Sequence, residues 1–146
     1  MGPQIDTFEQ VYDEETFSYF LALEQKRAER AGRPFLLLLV DLNTPQGAAR
    51  PDVRLHRRTA ARLFAELSHC LRETDFVGWY RDRCVAGAVL TQQPGALGTT
   101  VPEAVGERVT RALRERLPSN VAPRLNVRVY LVRTTQNVQG VERPWR

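Results

Sequence analysis

"RETDFVGWYRDRCVAGAVL", Arg72 to Leu90, is the stretch whose reading decides the fold. Two apolar runs, Phe76–Tyr80 and Cys84–Thr91, flank the charged residues Arg81, Asp82 and Arg83. A three-residue gap of this kind suits a β-hairpin. Trp79 and Tyr80 then face opposite sides of the first strand, which places one in the core and leaves the other for packing, a ligand or a partner.

The elements on either side follow from periodicity. Upstream, Phe35–Asp41 is a continuous apolar run ending in an acid, the pattern of a strand buried on both faces. A helix is predicted before it, from Thr16 to the stop at Gly32-Arg33-Pro34. The segment from Thr44 to about Arg58 reads as a loop running into a second helix, in which Ala60, Leu63, Phe64, Leu67 and Leu71 recur at helical spacing up to Arg72. After a surface loop, Thr100-Val101-Pro102-Glu103 has the form of a capping box. The helix that it opens carries Val105, Val109, Leu113 and Leu117 and ends at Pro118. Leu125–Val132 alternates as a last strand. The order is a leading helix followed by β-α-β-β-α-β, an α+β, ferredoxin-like plan with an antiparallel sheet and helices on one face. Residues 1–12 read as an arm, 13–133 as one domain and 134–146 as a tail in which Trp145 alone promises a contact.

The length of 146 residues suits one compact domain. No apolar run approaches the roughly 18 residues of a membrane span, so membrane insertion is not expected. The N-terminal stretch lacks the pattern of a signal peptide, which makes the cytoplasm the expected compartment. Cys70 and Cys84 lack metal-type spacing and are read as reduced thiols, with no metal and no cofactor implied. The net charge is +4 and Lys26 is the one lysine among 21 basic residues. Arginine favours bidentate contacts with phosphate, carboxylate or guanine, yet charge alone does not indicate nucleic acid as a partner. Arg54, Arg57 and Arg58 cluster before the second helix as a solvated face or an auxiliary phosphate contact. His56 and His69 have no partner at catalytic spacing, and there is no P-loop or nucleophile elbow.

"GRPFLLLLVDLN", the helix ending in "LRETD", the hairpin, "ERVTRALRERLP" and "LNVRVYLV" together resemble a GGDEF domain, the palm of diguanylate cyclases, over about Phe17 to Val132. The resemblance assigns Asp41 to the metal-binding aspartate at the end of the first strand. It aligns the Gly-Gly-Asp/Glu-Glu-Phe turn with Arg81, Asp82, Arg83, Cys84 and Val85. The family's RxxD motif stands with its Asp six residues before the first glycine of that turn, which is where Asp75 stands relative to Arg81. Arg72-Glu73-Thr74-Asp75 is the one RxxD in the chain.

Cyclisation needs divalent cations held by carboxylates and backbone that approaches the nucleotide closely at glycine. Arg83 stands in place of the acid and would repel Mg²⁺, and Arg81 and Asp82 add bulk in place of both glycines. Asp82 is offset by one residue and on the wrong side to replace the ligand. The resemblance therefore implies a catalytically inactive relative, a regulatory protein and not an enzyme. In active members RxxD is the inhibitory site for cyclic di-GMP. Its residue types suit guanine, since Arg donates to O6 and N7 and Asp accepts from N1 and N2. Arg72 and Asp75 are accordingly the expected ligand contacts, with signal passed to a protein partner in polysaccharide, biofilm or motility control. The alternative is a ligand-free scaffold in which Arg72 complements the helix dipole and Asp75 caps the turn. The sequence leaves both readings open, together with the oligomeric state, a homodimer included, and the source of any second ligand-contacting arginine.

Overall fold

A computed structural model describes residues 11–43, 54–72, 75–91 and 100–132. The expectations for residues 1–10, for most of the two long loops, for Glu73 and Thr74 and for the tail with Trp145 lie outside the described residues. The elements are α1 (Glu14–Ala31), β1 (Phe35–Leu42), α2 (Arg57–His69), β2 (Phe76–Arg81), β3 (Val85–Leu90), α3 (Thr100–Arg116) and β4 (Leu125–Val132). A 3-10 turn, Ala122–Arg124, leads into β4.

The four strands form one sheet in the order β2-β3-β1-β4. Every neighbouring pair is antiparallel, with β1 in the interior between β3 and β4. β1 and β2, joined through α2, therefore run parallel with β3 inserted between them, which is the split βαβ plan expected from the element order. All eight residues of β1 are buried. Leu36, Leu38, Val40 and Leu42 pack with Ala60, Leu63, Phe64 and Leu67 of α2 and Val109 and Leu113 of α3. Phe35, Leu37 and Leu39 face the other way, toward Phe17 and Ala28 of α1. The two crossover helices lie on one face as expected, and the leading helix closes the opposite face. That second cover explains why β1 has no polar alternation until Asp41, since each buried Leu or Phe is worth about 1.5–3 kcal/mol.

Helix ends follow local chemistry. Asp13 caps α1 by accepting from Thr16 N at 2.8 Å, so the helix begins two residues before the predicted Thr16. Gly32 ends it in the left-handed region at φ 69°. The α2 cap is His56, whose Nδ1 accepts from Arg58 N at 3.2 Å. α2 stops at His69, short of the predicted Arg72. Cys70 N and Leu71 N bond the carbonyls three residues back, at 2.9 and 3.3 Å, and this tightening turns the chain out of the helix. Thr100 is already helical, so it is not the cap that the capping-box reading made it.

Before α1, Tyr12 lies parallel to β2 at Gly78. Tyr12 N donates to Val77 O at 3.3 Å and Trp79 N donates to Tyr12 O at 2.9 Å. This approach requires glycine, because a Cβ at Gly78 would stand 2.7 Å from Tyr12 O and 2.8 Å from Tyr12 Cβ. Trp79 is buried edge-on against Phe64, with centroids 4.9 Å apart. Tyr80 packs on the α1 side, so both hairpin aromatics serve packing.

Candidate functional site

The hairpin has two chemically distinct ends, and the residues singled out by sequence divide between them. At the closed end, Asp82–Cys84 form the turn between β2 and β3. Cys84 N bonds Arg81 O at 3.0 Å. Arg83 adopts φ 61°, the one positive φ outside glycine among the described residues. Arg83 is the third residue of the four-residue turn Arg81–Cys84, a position where glycine adopts the left-handed conformation at far lower cost. The turn is also tied to its surroundings. Asp82 N donates to Glu14 Oε1 of α1 at 2.7 Å, and Leu55 N donates to Arg83 O at 2.7 Å.

Asp41 ends the polar-free run of β1 beside this turn and is 5 % exposed. The β1–β4 register places it opposite Asn126. Asn126 Nδ2 donates to Asp41 Oδ1 at 3.0 Å, and an Arg128 guanidinium nitrogen lies 3.4 Å from Oδ2. Burial pushes the Asp41 carboxyl above its ordinary value, while the Arg128 charge and the Asn126 amide pull it back. Cyclase chemistry implies divalent cations at such a position, and this donor set does not fit them. Asp41 is neutralised by an arginine, the turn presents Arg81 and Arg83, and no group of three or more His, Cys, Asp or Glu side chains is gathered among the described residues.

Sequence reasoning did not find Asn126, Arg128 or Glu14. A signal existed for the first two. They occupy the polar phase of β4, between Leu125, Val127 and Val129, and so share a face with Asp41 once the strands are registered. Glu14 carried no such signal, being an ordinary first-turn acid until the fold brings it to the hairpin.

At the open end, Arg72 and Asp75 close a tight loop between α2 and β2. Arg72 N donates to Asp75 Oδ2 at 2.9 Å, and Asp75 N donates to Arg72 O at 3.0 Å. Asp75 Oδ1 accepts from Thr91 N at 3.2 Å, just beyond the end of β3. Arg72 is exposed and Asp75 half-buried. The two expected contacts are thus side by side, at the other end of the hairpin from Asp41.

The remaining candidates disperse. His56, Arg58 and Arg62 border a cavity of about 450 Å³ beside the 117–121 loop, whereas Arg54 and Arg57 are exposed and do not line it. A shallower cavity of about 700 Å³ lies between α3 and β4. Cys70 and Cys84 are both free thiols, and burial raises the Cys70 thiol above its ordinary value. His69 is the last residue of α2 and is exposed.

No protein-family model matches the sequence, and none of the curated proteins does. Solved structures do match. The diguanylate cyclase SiaD, in complex with its activator SiaC from Pseudomonas aeruginosa, is 19 % identical at a TM-score of 0.64. That comparison covers 91 % of this chain and 51 % of SiaD, so the chain spans about half the length of that relative. The GGDEF domain of DgcB from Caulobacter crescentus, in complex with cyclic di-GMP, is 13 % identical at a TM-score of 0.58 over 90 % of this chain and 79 % of DgcB's. The GGDEF domain of TpbB, also called YfiN, from Pseudomonas aeruginosa is 13 % identical at a TM-score of 0.56 over 88 % of this chain and 74 % of its own. No helix among the described residues is long and apolar enough to cross a membrane. The chain has the fold of GGDEF domains, a nucleotide-cyclase palm with an antiparallel sheet.

Proposed function

We propose that this protein is a non-catalytic GGDEF-fold module that binds cyclic di-GMP at the Arg72–Asp75 loop and passes that state to a protein partner. The observation that carries this reading is the frame of the loop, two hydrogen bonds that join Arg72 to Asp75 and a third that joins Asp75 to Thr91 N, with Arg72 exposed. Each Asp75 oxygen takes one backbone N–H, and an ionised carboxylate has roughly four acceptor sites, so capacity remains for guanine N1 and N2. The Arg72 guanidinium supplies the complementary donors for O6 and N7. The absence of catalysis is argued from Asp41 and the turn, whose charges oppose metal binding. A neighbour solved with cyclic di-GMP and another solved with a protein activator support the ligand and the manner of output. Polysaccharide, biofilm or motility systems are the outputs that the fold suggests by analogy, within the cytoplasm.

Calorimetric titration of cyclic di-GMP into the whole chain tests this, with GTP as control and Arg72→Ala beside the wild type. Micromolar or tighter binding that Arg72→Ala removes is the expected result. A ligand-free scaffold is the second reading, and one observation favours it. By joining the α2–β2 loop to the end of β3, Asp75 already has a structural reason to be there. Absence of heat, with no rise in melting temperature at high ligand concentration, would decide for the scaffold.

A further inference from the structure

The outward face of α1 carries Glu15, Tyr19, Ala22, Leu23, Lys26 and Arg30, all exposed. Tyr19 keeps 61 % of its surface accessible, and Leu23 and Tyr12 keep 37 % each. The two tyrosine rings are joined through Phe20, since Tyr19 packs on Phe20 at 5.4 Å and Phe20 on Tyr12 at 5.0 Å between centroids. Exposed apolar groups that form a continuous patch bordered by charge mark interaction sites. Along the outward stripe the charge is also ordered. Glu15 lies in the first turn, and Lys26 and Arg30 lie toward the end, with Glu29 beside the stripe.

We propose that this face binds a second copy of the chain, with the two α1 helices packed antiparallel across Tyr19 and Leu23. A two-fold interface must be complementary to itself, each residue meeting a different residue of the other copy. Glu15 and Lys26 are eleven residues apart, close to three helical turns, so they lie on one stripe. Reversal of one helix brings each copy's Glu15 to the other's Lys26 and leaves Tyr19 and Leu23 at the centre. A parallel pair would set Glu15 against Glu15 and Lys26 against Lys26. Antiparallel helix dipoles add to the same preference. The contact involves one helix of 18 residues, about 27 Å long. Its small area places dissociation in the micromolar range or weaker. Neither the Arg72–Asp75 loop nor the hairpin turn belongs to this face, so the proposal stands apart from the ligand reading.

Sedimentation velocity on the full chain, from micromolar to near-millimolar concentration at low salt, provides the test. The wild type should show reversible dimerisation. Lys26→Glu and Glu15→Lys should each weaken it by roughly three- to tenfold, as expected for two symmetric surface pairs. The double reversal should restore the wild-type affinity, because the pairing is recreated with opposite sign. Tyr19→Ser with Leu23→Ser should leave a monomer whose melting curve and circular dichroism match those of the folded wild type. A wild type that stays monomeric throughout, whether another protein or residues 1–10 cover the face, overturns the proposal. So does a dimer indifferent to the single reversals, or one in which the double reversal is as weak as the singles combined.

Discussion

Asp41 and Asp75 are the two aspartates that the GGDEF resemblance singles out, and they differ in what neutralises them. Asp41 is buried on the sheet and held by two side chains, Asn126 and Arg128, from a strand more than eighty positions away. Asp75 stands at the rim and is held by main-chain N–H groups of Arg72 and Thr91. A carboxylate paired with side chains depends on their identity, and one paired with backbone depends only on the local path of the chain. The first is buried within the domain. The second keeps its frame whatever its neighbours are, which is the property required of a ligand-binding loop.

Substitutions that remove one partner separate the two cases. Arg128→Leu should have the largest effect, because it leaves Asp41 buried without its cation. Loss of one partner from a buried pair costs about 3–5 kcal/mol, and with the Arg128 side chain 29 % exposed we expect about 2–3 kcal/mol by urea unfolding. Asp75→Ala should cost about 2 kcal/mol, since two backbone donors lose their acceptor at a partly hydrated site. Arg72→Ala should change stability by less than about 0.5 kcal/mol while abolishing ligand binding, because the bond from Arg72 to Asp75 is made by the backbone and survives the substitution. Equal losses for Asp75→Ala and Arg72→Ala would erase the distinction between frame and contact.

The pH dependence sharpens the contrast. Burial raises the Asp41 carboxyl above 3.8, so the native state retains its proton over a window in which the unfolded chain releases it. The associated stability is fully present below about 3.8 and is lost as pH rises through the native value. Asp41→Asn should therefore gain stability relative to the wild type as pH rises from about 3 to 7, measured as the difference in unfolding midpoints. A constant difference across that range would mean that Arg128 and Asn126 offset burial, and a relative loss of stability with rising pH that they outweigh it. The smallest effect is expected at the turn. Arg83→Gly should raise stability by up to about 1 kcal/mol by relieving the left-handed φ, offset in part by the greater freedom of glycine in the unfolded chain.

Much of this architecture was legible in the sequence, since it rests on short-range patterns. The apolar run from Phe35 and the three-residue gap at Arg81–Arg83 located the central strand and the hairpin to within one or two residues. The RxxD register placed Arg72 beside Asp75, and the structure brings them together. The end of α2 was misplaced because Leu71 continues the apolar spacing while the hydrogen bonds have already tightened. The partners of Asp41 were missed because they depend on strand register, a long-range property that periodicity does not encode. The second cover over the sheet was missed for the same reason. An amphipathic helix announces that it has a face to bury, without stating which side of the sheet will bury it.

The segment around Tyr12 has a mechanical consequence. It runs parallel to β2 and is attached through the two main-chain bonds of Tyr12, to Val77 and from Trp79. Tension applied to the chain ahead of Val11 along the strand would load both bonds together in shear, a geometry that resists more force than opening them in turn. That force would enter the domain through β2, whose two ends are the Asp75 loop and the Arg81 turn, before it reached β1 or β4.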